Sequence, residues 1–240
     1  MSGHSKWATI KRAKAITDAK RGQAFTKLGR NITIAVSKNG GADPAFNFKL
    51  RMAMDRARDG GMPSDNIVRA IKRGSGEGKE ALENVIYEGY GPFGTAFLVE
   101  TVTDNSNRTS QNIKHIFAKH NGNFGAKGSV AWQFVTKGQI LVEREGRKDL
   151  SDLELAAIDA GAEDVRESAD GLEVYTLPLD LQKIKELLIK AGAVVAKAEV
   201  IQESSQGVDL TEEQKPKVDA LFAELENDDD VIAVHTSANL

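Results

Sequence analysis

The sequence predicts an α+β protein in three parts: a helical N-terminal domain, a mixed second domain, and an α/β domain inserted into the second. Three observations carry this. Apolar residues recur at helical spacing up to Ile71 and follow strand patterns from Val85 onward. Residues 138–202 read strand, helix, strand, strand, helix, strand, a self-contained βαββαβ run. A helix at 211–226 and a strand at 231–235 are then left over, while residues 82–136 lack a closing helix and strand. Returning the C-terminus to the second domain satisfies both. The expected boundaries are 1–80, then 81–136 plus 205–240, with 137–204 inserted.

The first helix spans 18–38. At about 100° per residue, Ala24, Phe25, Leu28, Ile32, Ala35 and Val36 share one arc, and Lys20, Lys27, Arg30 and Lys38 fall well away from it. Ile34 and Arg21 break the pattern. Asn39-Gly40-Gly41 stops the helix. Asp43-Pro44 is expected to open a second helix with Phe46, Leu50, Ala53, Met54 and Ala57 on one face, ended by Gly60-Gly61. A third starts near Met62-Pro63-Ser64-Asp65, turns Ile67, Val68 and Ile71 inward, and ends at Gly74. Gly74 to Gly78 reads as a flexible linker.

In the second part, Val85-Ile86-Tyr87 and Ala96 to Val99 read as strands and Asn105 to His120 as a capped helix. Ser129 to Val135 is expected to be strand. The inserted run is assigned strand 139–143, helix 151–160, strands 163–167 and 172–177, helix 180–191 and strand 194–201. Pro216 falls inside the expected last helix, so that helix starts later or kinks there.

The chain has 240 residues and no cysteine, which excludes disulfides, thiolate metal sites and cysteine nucleophiles. No run approaches the ~18 apolar residues of a membrane helix. The first thirty residues lack the composition of a transit peptide and the apolar core of a secretory signal, so the expectation is a cytoplasmic chain. The sequon at Asn107-Arg108-Thr109 is accordingly expected to stay unmodified. The net charge of −3 hides an asymmetry: residues 1–80 carry +10 and residues 81–240 carry −13. A basic module joined to an acidic body points to a polyanionic partner, or to two halves that attract one another.

No motif argues for catalysis, and no catalytic residue, metal or cofactor is expected. Gly89-Tyr90-Gly91-Pro92-Phe93-Gly94 fits GxGxxG, but a strand pattern follows where a dinucleotide site needs a helix. Gly125-Ala126-Lys127-Gly128 fits a GxxG loop, but precedes a strand pattern and reads as a turn. His4, His115, His120 and His235 show no metal-ligand spacing. Asp228-Asp229-Asp230 lacks the alternation of a calcium loop and reads as a solvated turn. No small-molecule substrate is evident.

What remains is the basic N-terminus. Lys6, Lys11, Arg12, Lys14, Lys20, Arg21, Lys27 and Arg30, with Trp7 among them, face one acid, Asp18. Cations neutralise phosphates and an aromatic offers a surface for a base, so these nine are the candidate nucleic-acid-binding residues. The glycine-rich hairpin supplies Tyr87 and Tyr90 as a second candidate contact, a pattern that equally fits a turn with its tyrosines packed inward.

Several blocks resemble the YebC/PmpR family. These are Gly3 to Trp7, Asp18, Arg21, Phe25, Lys27, Gly40 to Pro44, Asn47, Leu50-Arg51, Met62-Pro63 and Arg69 to Ile71. The strongest are Tyr87 to Pro92, Thr103 to Asn105, Asn107 to Thr109 and Gly128 to Val130. The match covers essentially the whole chain from residue 3, so no presequence is expected. The resemblance implies a helical N-terminal domain and two ferredoxin-like α/β sandwich domains. It implies a non-enzymatic regulator of gene expression. One form is a ribosome-associated translation factor that touches ribosomal RNA and aids proline-rich stretches. The alternative is a DNA-binding transcriptional regulator. The mitochondrial translational activator of cytochrome c oxidase is a member. Asn31, Asn121, Phe124 and Pro216 depart from the family pattern.

Overall fold

The computed structural model describes residues 18–38, 41–77 and 82–239. They form two compact units, one running to Trp132 and resuming at Leu210–Ala238, the other Gln133–Asp209.

The first unit begins with three helices, α1 (Asp18–Lys38), α2 (Phe48–Asp59) and α3 (Ser64–Lys72). They bury Ile32, Ala35, Val36, Leu50, Ala57, Met62, Ile67 and Ala70 in one cluster. Positions 32 to 36 of α1 are all buried, because the helix packs on α2 and α3 on one side and on strands of the adjoining sheet on the other. That second contact is why Ile34 breaks the one-sided pattern.

Helix α2 starts four residues later than Asp43-Pro44 suggests. The Asn47 side chain accepts from the Leu50 amide at 3.0 Å and donates to Ala35 O and Gly41 O. This buried cap fixes the start, while Asp43 accepts from the Ala45 amide in a local turn. Phe46 is left outside the helix, 86% exposed, and Val68 on α3 is also exposed. The expected linker begins as a widened helical turn, Arg73–Glu77.

The adjoining sheet contains β1 (Glu83–Tyr90), β2 (Ala96–Thr103), β3 (Asn123–Phe124) and, after the short β8 (Val208–Asp209) of the other unit, β9 (Val231–Thr236). Its order is β3-β1-β2-β9, all antiparallel. β2 runs beside β9 from Phe97↔Thr236 to Thr101↔Val231, so the C-terminal segment completes a sheet begun at Glu83. Helices α4 (Ser106–Lys119) and, later in the chain, α7 (Lys215–Asn227) pack with this sheet. Asn105 caps α4 by accepting from the Arg108 amide. Pro216 sits in the first turn of α7, where no intrahelical bond is lost.

The second unit is ferredoxin-like. β4 (Phe134–Glu143), α5 (Ser151–Asp159), β5 (Asp164–Glu167), β6 (Gly171–Thr176), α6 (Leu181–Lys190) and β7 (Val195–Ser204) follow in the expected order. The sheet order is β5-β6-β4-β7. β4 begins at Phe134 rather than near Ser129, because the amides of Gly128, Val130 and Ala131 are taken by the Glu88 carboxylate.

Candidate nucleic-acid interface

Of the nine expected nucleic-acid contacts, Lys6, Trp7, Lys11, Arg12 and Lys14 lie outside the described residues. Lys20 and Arg21 occupy the first turn of α1, with side chains likewise outside the description.

Lys27 and Arg30 are described, and both turn inward. Lys27 Nζ donates to Glu226 O at 2.5 Å. Arg30 donates to Asp229 O and, at 2.8 Å, to Asp230 Oδ1. Gln23, on the same face, donates to Asn227 O and Asp229 Oδ1. The last carbonyls of a helix have no intrahelical partner, and α7 has no basic residue in its own last turn. The cations of α1 cap that end instead. Burial pushes the Lys27 ammonium down, against the pull of Glu226, Asp228 and Asp229.

Asp230 is therefore no solvated turn residue. It is buried, and besides Arg30 it accepts from Arg108 at 2.9 Å, Thr109 at 2.7 Å and Thr103 at 3.3 Å. Burial opposes its charge, but the bonds from Thr109 and Arg108 and the nearby Arg30 hold its carboxyl below the usual range. Arg108 also pairs with Asp104 at 2.8 Å. One carboxylate thus ties α1, β2, α4 and the turn after α7 together. The spacing of Thr103, Arg108 and Thr109 gave no hint of a partner more than a hundred residues away.

The hairpin places its tyrosines mostly inward. Tyr87 is 9% exposed, donates to Ser106 O at 2.9 Å and packs on Phe124 at 5.8 Å. The surface role foreseen for it therefore has no accessible ring face. Tyr90 is half-buried and donates to Ser129 O at 3.0 Å. The glycines have packing reasons: a Cβ at Gly89 would stand 2.8 Å from the Phe117 ring, and one at Gly91 would stand 2.5 Å from Phe97. The aromatic that does reach the surface is Phe93, at φ +63 and with Lys217 over its ring at 5.8 Å. Glu88, also buried, accepts from three backbone amides. Its burial opposes ionisation, yet those amides hold its carboxyl below the usual range.

Exposed cations lie elsewhere on the helices. Arg51 and Arg58 on α2, and Arg69, Lys72 and Arg73 at the end of α3, all face outward. Arg69, Lys72 and Arg73 fall within an arc of about 100° on α3. Neither Lys72 nor Arg73 makes a side-chain polar bond among the described residues. Sequence reading passed over them because acids and apolar residues are interspersed among them, unlike the denser run before residue 31.

Among the described residues, no group of three His, Cys, Asp or Glu side chains could hold a metal ion, and no helix is long and apolar enough to cross a membrane.

An α+β chain of this architecture matches one family along most of its length. Residues 5–77 match the family described as TACO1/YebC protein N-terminal domain, and residues 82–238 match TACO1/YebC second and third domain. The chain belongs to the TACO1/YebC family. It is 46% identical, over 100% of its length and 98% of the relative's, to a "Probable transcriptional regulatory protein" of Thermoanaerobacter pseudethanolicus. It is 48% identical to a protein of the same description from Dehalococcoides mccartyi, over 100% of this chain and 95% of that one. A crystal structure of a conserved hypothetical protein from Aquifex aeolicus superimposes with a TM-score of 0.83 at 42% identity, covering 93% of this chain and 92% of that one.

Proposed function

We propose that this chain is a non-enzymatic, nucleic-acid-binding regulator of gene expression, acting as a ribosome-associated translation factor through contacts with ribosomal RNA. The observation that carries the reading is the exposure of Arg51 and Arg58 on α2, Arg69 and Lys72 on α3, and Arg73 just after it. The basic sequence that precedes them, with Lys6, Trp7, Lys11, Arg12, Lys14, Lys20 and Arg21, adds cations and an aromatic suited to phosphates and bases rather than to one base sequence. In this reading Lys27 and Arg30 serve the internal clamp. The test is sedimentation of the full chain with ribosomes through sucrose gradients at low and high salt, followed by crosslink sequencing. Salt-sensitive co-sedimentation with crosslinks to ribosomal RNA is the expected result. A chain that stays at the top of the gradient at low salt contradicts it.

A second reading, a DNA-binding transcriptional regulator, has a specific observation in its favour. Only four residues, Gly60 to Pro63, join α2 to α3, and α3 presents Arg69 and Lys72 outward, as a recognition helix would. The names of the relatives point the same way. Crosslinks to DNA and none to ribosomal RNA would select it.

A further inference from the structure

The first unit holds a cavity of about 580 Å³ between the turn Pro92–Gly94, the end of α4 and the first turns of α7. Its volume falls in the range of small-ligand sites. One wall is the Phe93 ring, 44% exposed on a residue at φ +63. A side chain with a Cβ seldom adopts that conformation, and here no burial of the ring compensates for it. The turn is nevertheless closed on both sides of the ring. Gly91 N donates to Thr95 O at 2.7 Å, and Thr95 Oγ1 donates to Pro92 O at 2.8 Å.

The polar part of the lining is cationic. Lys119, His120 and Lys217 contribute to it, and none of the described residues that line the cavity is acidic. Lys119 and His120 are drawn to Glu224 at 2.8 Å and 2.7 Å, which fixes their positions. Lys217 lies over the Phe93 ring at 5.8 Å and pairs with no carboxylate among the described residues. Asn121 also lines the cavity, is exposed, and makes no side-chain hydrogen bond among the described residues. Its amide offers a donor and an acceptor side by side, the pattern that matches the edge of a base.

We propose that this cavity binds one nucleotide unit, its base stacked on Phe93 and its phosphate met by Lys217. The ring takes the flat apolar face, the Asn121 amide takes the base edge, and the ammonium takes the negative charge. A base arriving on the ring displaces the Lys217 ammonium, whose flexible stem lets it swing to the phosphate. An apolar peptide would use the ring and leave the ammonium and the amide without a role. The inference deepens the proposed function and rests on it for the source of the nucleotide, a residue of single-stranded RNA; a free mononucleotide shares the same chemistry. The cavity uses none of the cations of α2 and α3, so the two contacts can be tested separately.

In the full chain, the amide signals of Gly94, Asn121 and Ala220 should move when a short mixed-sequence single-stranded RNA is added. Phe93→Gly suits the left-handed backbone, so it should fold at least as stably as the parent. It should still weaken binding of that RNA about tenfold, within the range of one base–aromatic stack. Phe93→Tyr should keep the parent's affinity. Lys217→Ala should lower the salt slope by about one, whereas Phe93→Gly should leave the slope unchanged. A folded Phe93→Gly variant that binds the RNA as tightly as the parent overturns the site and leaves the proposed function intact. Movement of the three signals with adenosine monophosphate, in a chain that binds no RNA, sustains the site as one for a free nucleotide and sinks the proposed function. No movement with either probe overturns the inference.

Discussion

Lys27 and Arg30 on α1 and Arg69, Lys72 and Arg73 on and just after α3 are residues of the same kind in the same bundle, and they meet opposite fates. On α1 the cations close onto Glu226 O, Asp229 O and Asp230 Oδ1, where they cap the end of α7. On α3 they stand outward. The difference lies in what each helix packs against. α1 is covered by its own bundle on one side and by β2 and β9 on the other, so its polar residues reach the turn after α7. α3 contacts α1, α2 and the turn that follows it, which leaves its far side open. Charge density along a chain measures how much charge must be satisfied. It does not say whether the partner is internal.

The inward side of this comparison breaks most sharply at Asp230. Asp230→Ala removes the acceptor shared by Arg30, Arg108, Thr109 and Thr103, and losing several hydrogen bonds to one charged group, with Arg108 half exposed and still paired to Asp104, costs about 3 kcal/mol. Denaturant unfolding should show a loss of this size, with α1 amides exchanging faster than those of α5. A change below about 1 kcal/mol would mean that α1 is held by its apolar face alone. The hairpin offers a parallel contrast. Tyr87→Ala should cost about 3 kcal/mol or more as a buried aromatic, and half-buried Tyr90→Ala clearly less. If Tyr90→Ala leaves stability nearly unchanged and weakens nucleic-acid binding, Tyr90 is a contact; matching stability losses would make both tyrosines core.

Glu88→Gln should cost about 2 kcal/mol, in the range of hydrogen bonds to a charged group. It should also change the acid limb. A carboxyl held below its unfolded value contributes stability that is present above about pH 4.3 and is lost as pH falls toward its folded value. The substitution should therefore flatten the decline in stability below about pH 5, and Asp230→Asn should do the same by the same sign. An unchanged acid limb in both variants would show that neither carboxylate titrates with folding. Lys27→Ala has the smallest expected effect on stability, about 1 kcal/mol, through loss of a helix-end contact.

Most of the fold was legible from local pattern. The βαββαβ run of the inserted unit appears within a few residues of its expected bounds, because its strands and helices carry their own periodicity. The pairing of β9 with β2 follows the count of unsatisfied elements. The start of α2 was not legible, since the Asn47 cap depends on Ala35 O, twelve residues away and on another helix. Asn121 takes φ +57, which asparagine tolerates, and Phe124 packs against Tyr87 and Phe117. The candidate interface was half legible. The basic run was visible, but the roles of Asp230, Arg108 and Glu88 come from contacts between segments 40 to 200 residues apart, which no local window contains.

On the proposed function, the outward cations at the end of α3, and not the inward pair on α1, meet the polyanion. Filter binding of a mixed-sequence RNA over a range of salt, with the parent chain, Lys27→Ala and the triple variant Arg69→Ala, Lys72→Ala, Arg73→Ala, tests it most directly. Each lost phosphate contact lowers the salt slope by about one. The slope should fall by about three in the triple variant, with its stability within about 0.5 kcal/mol of the parent, and stay unchanged for folded Lys27→Ala. A triple variant with the parent's slope, or a Lys27→Ala variant that loses as much, would contradict it.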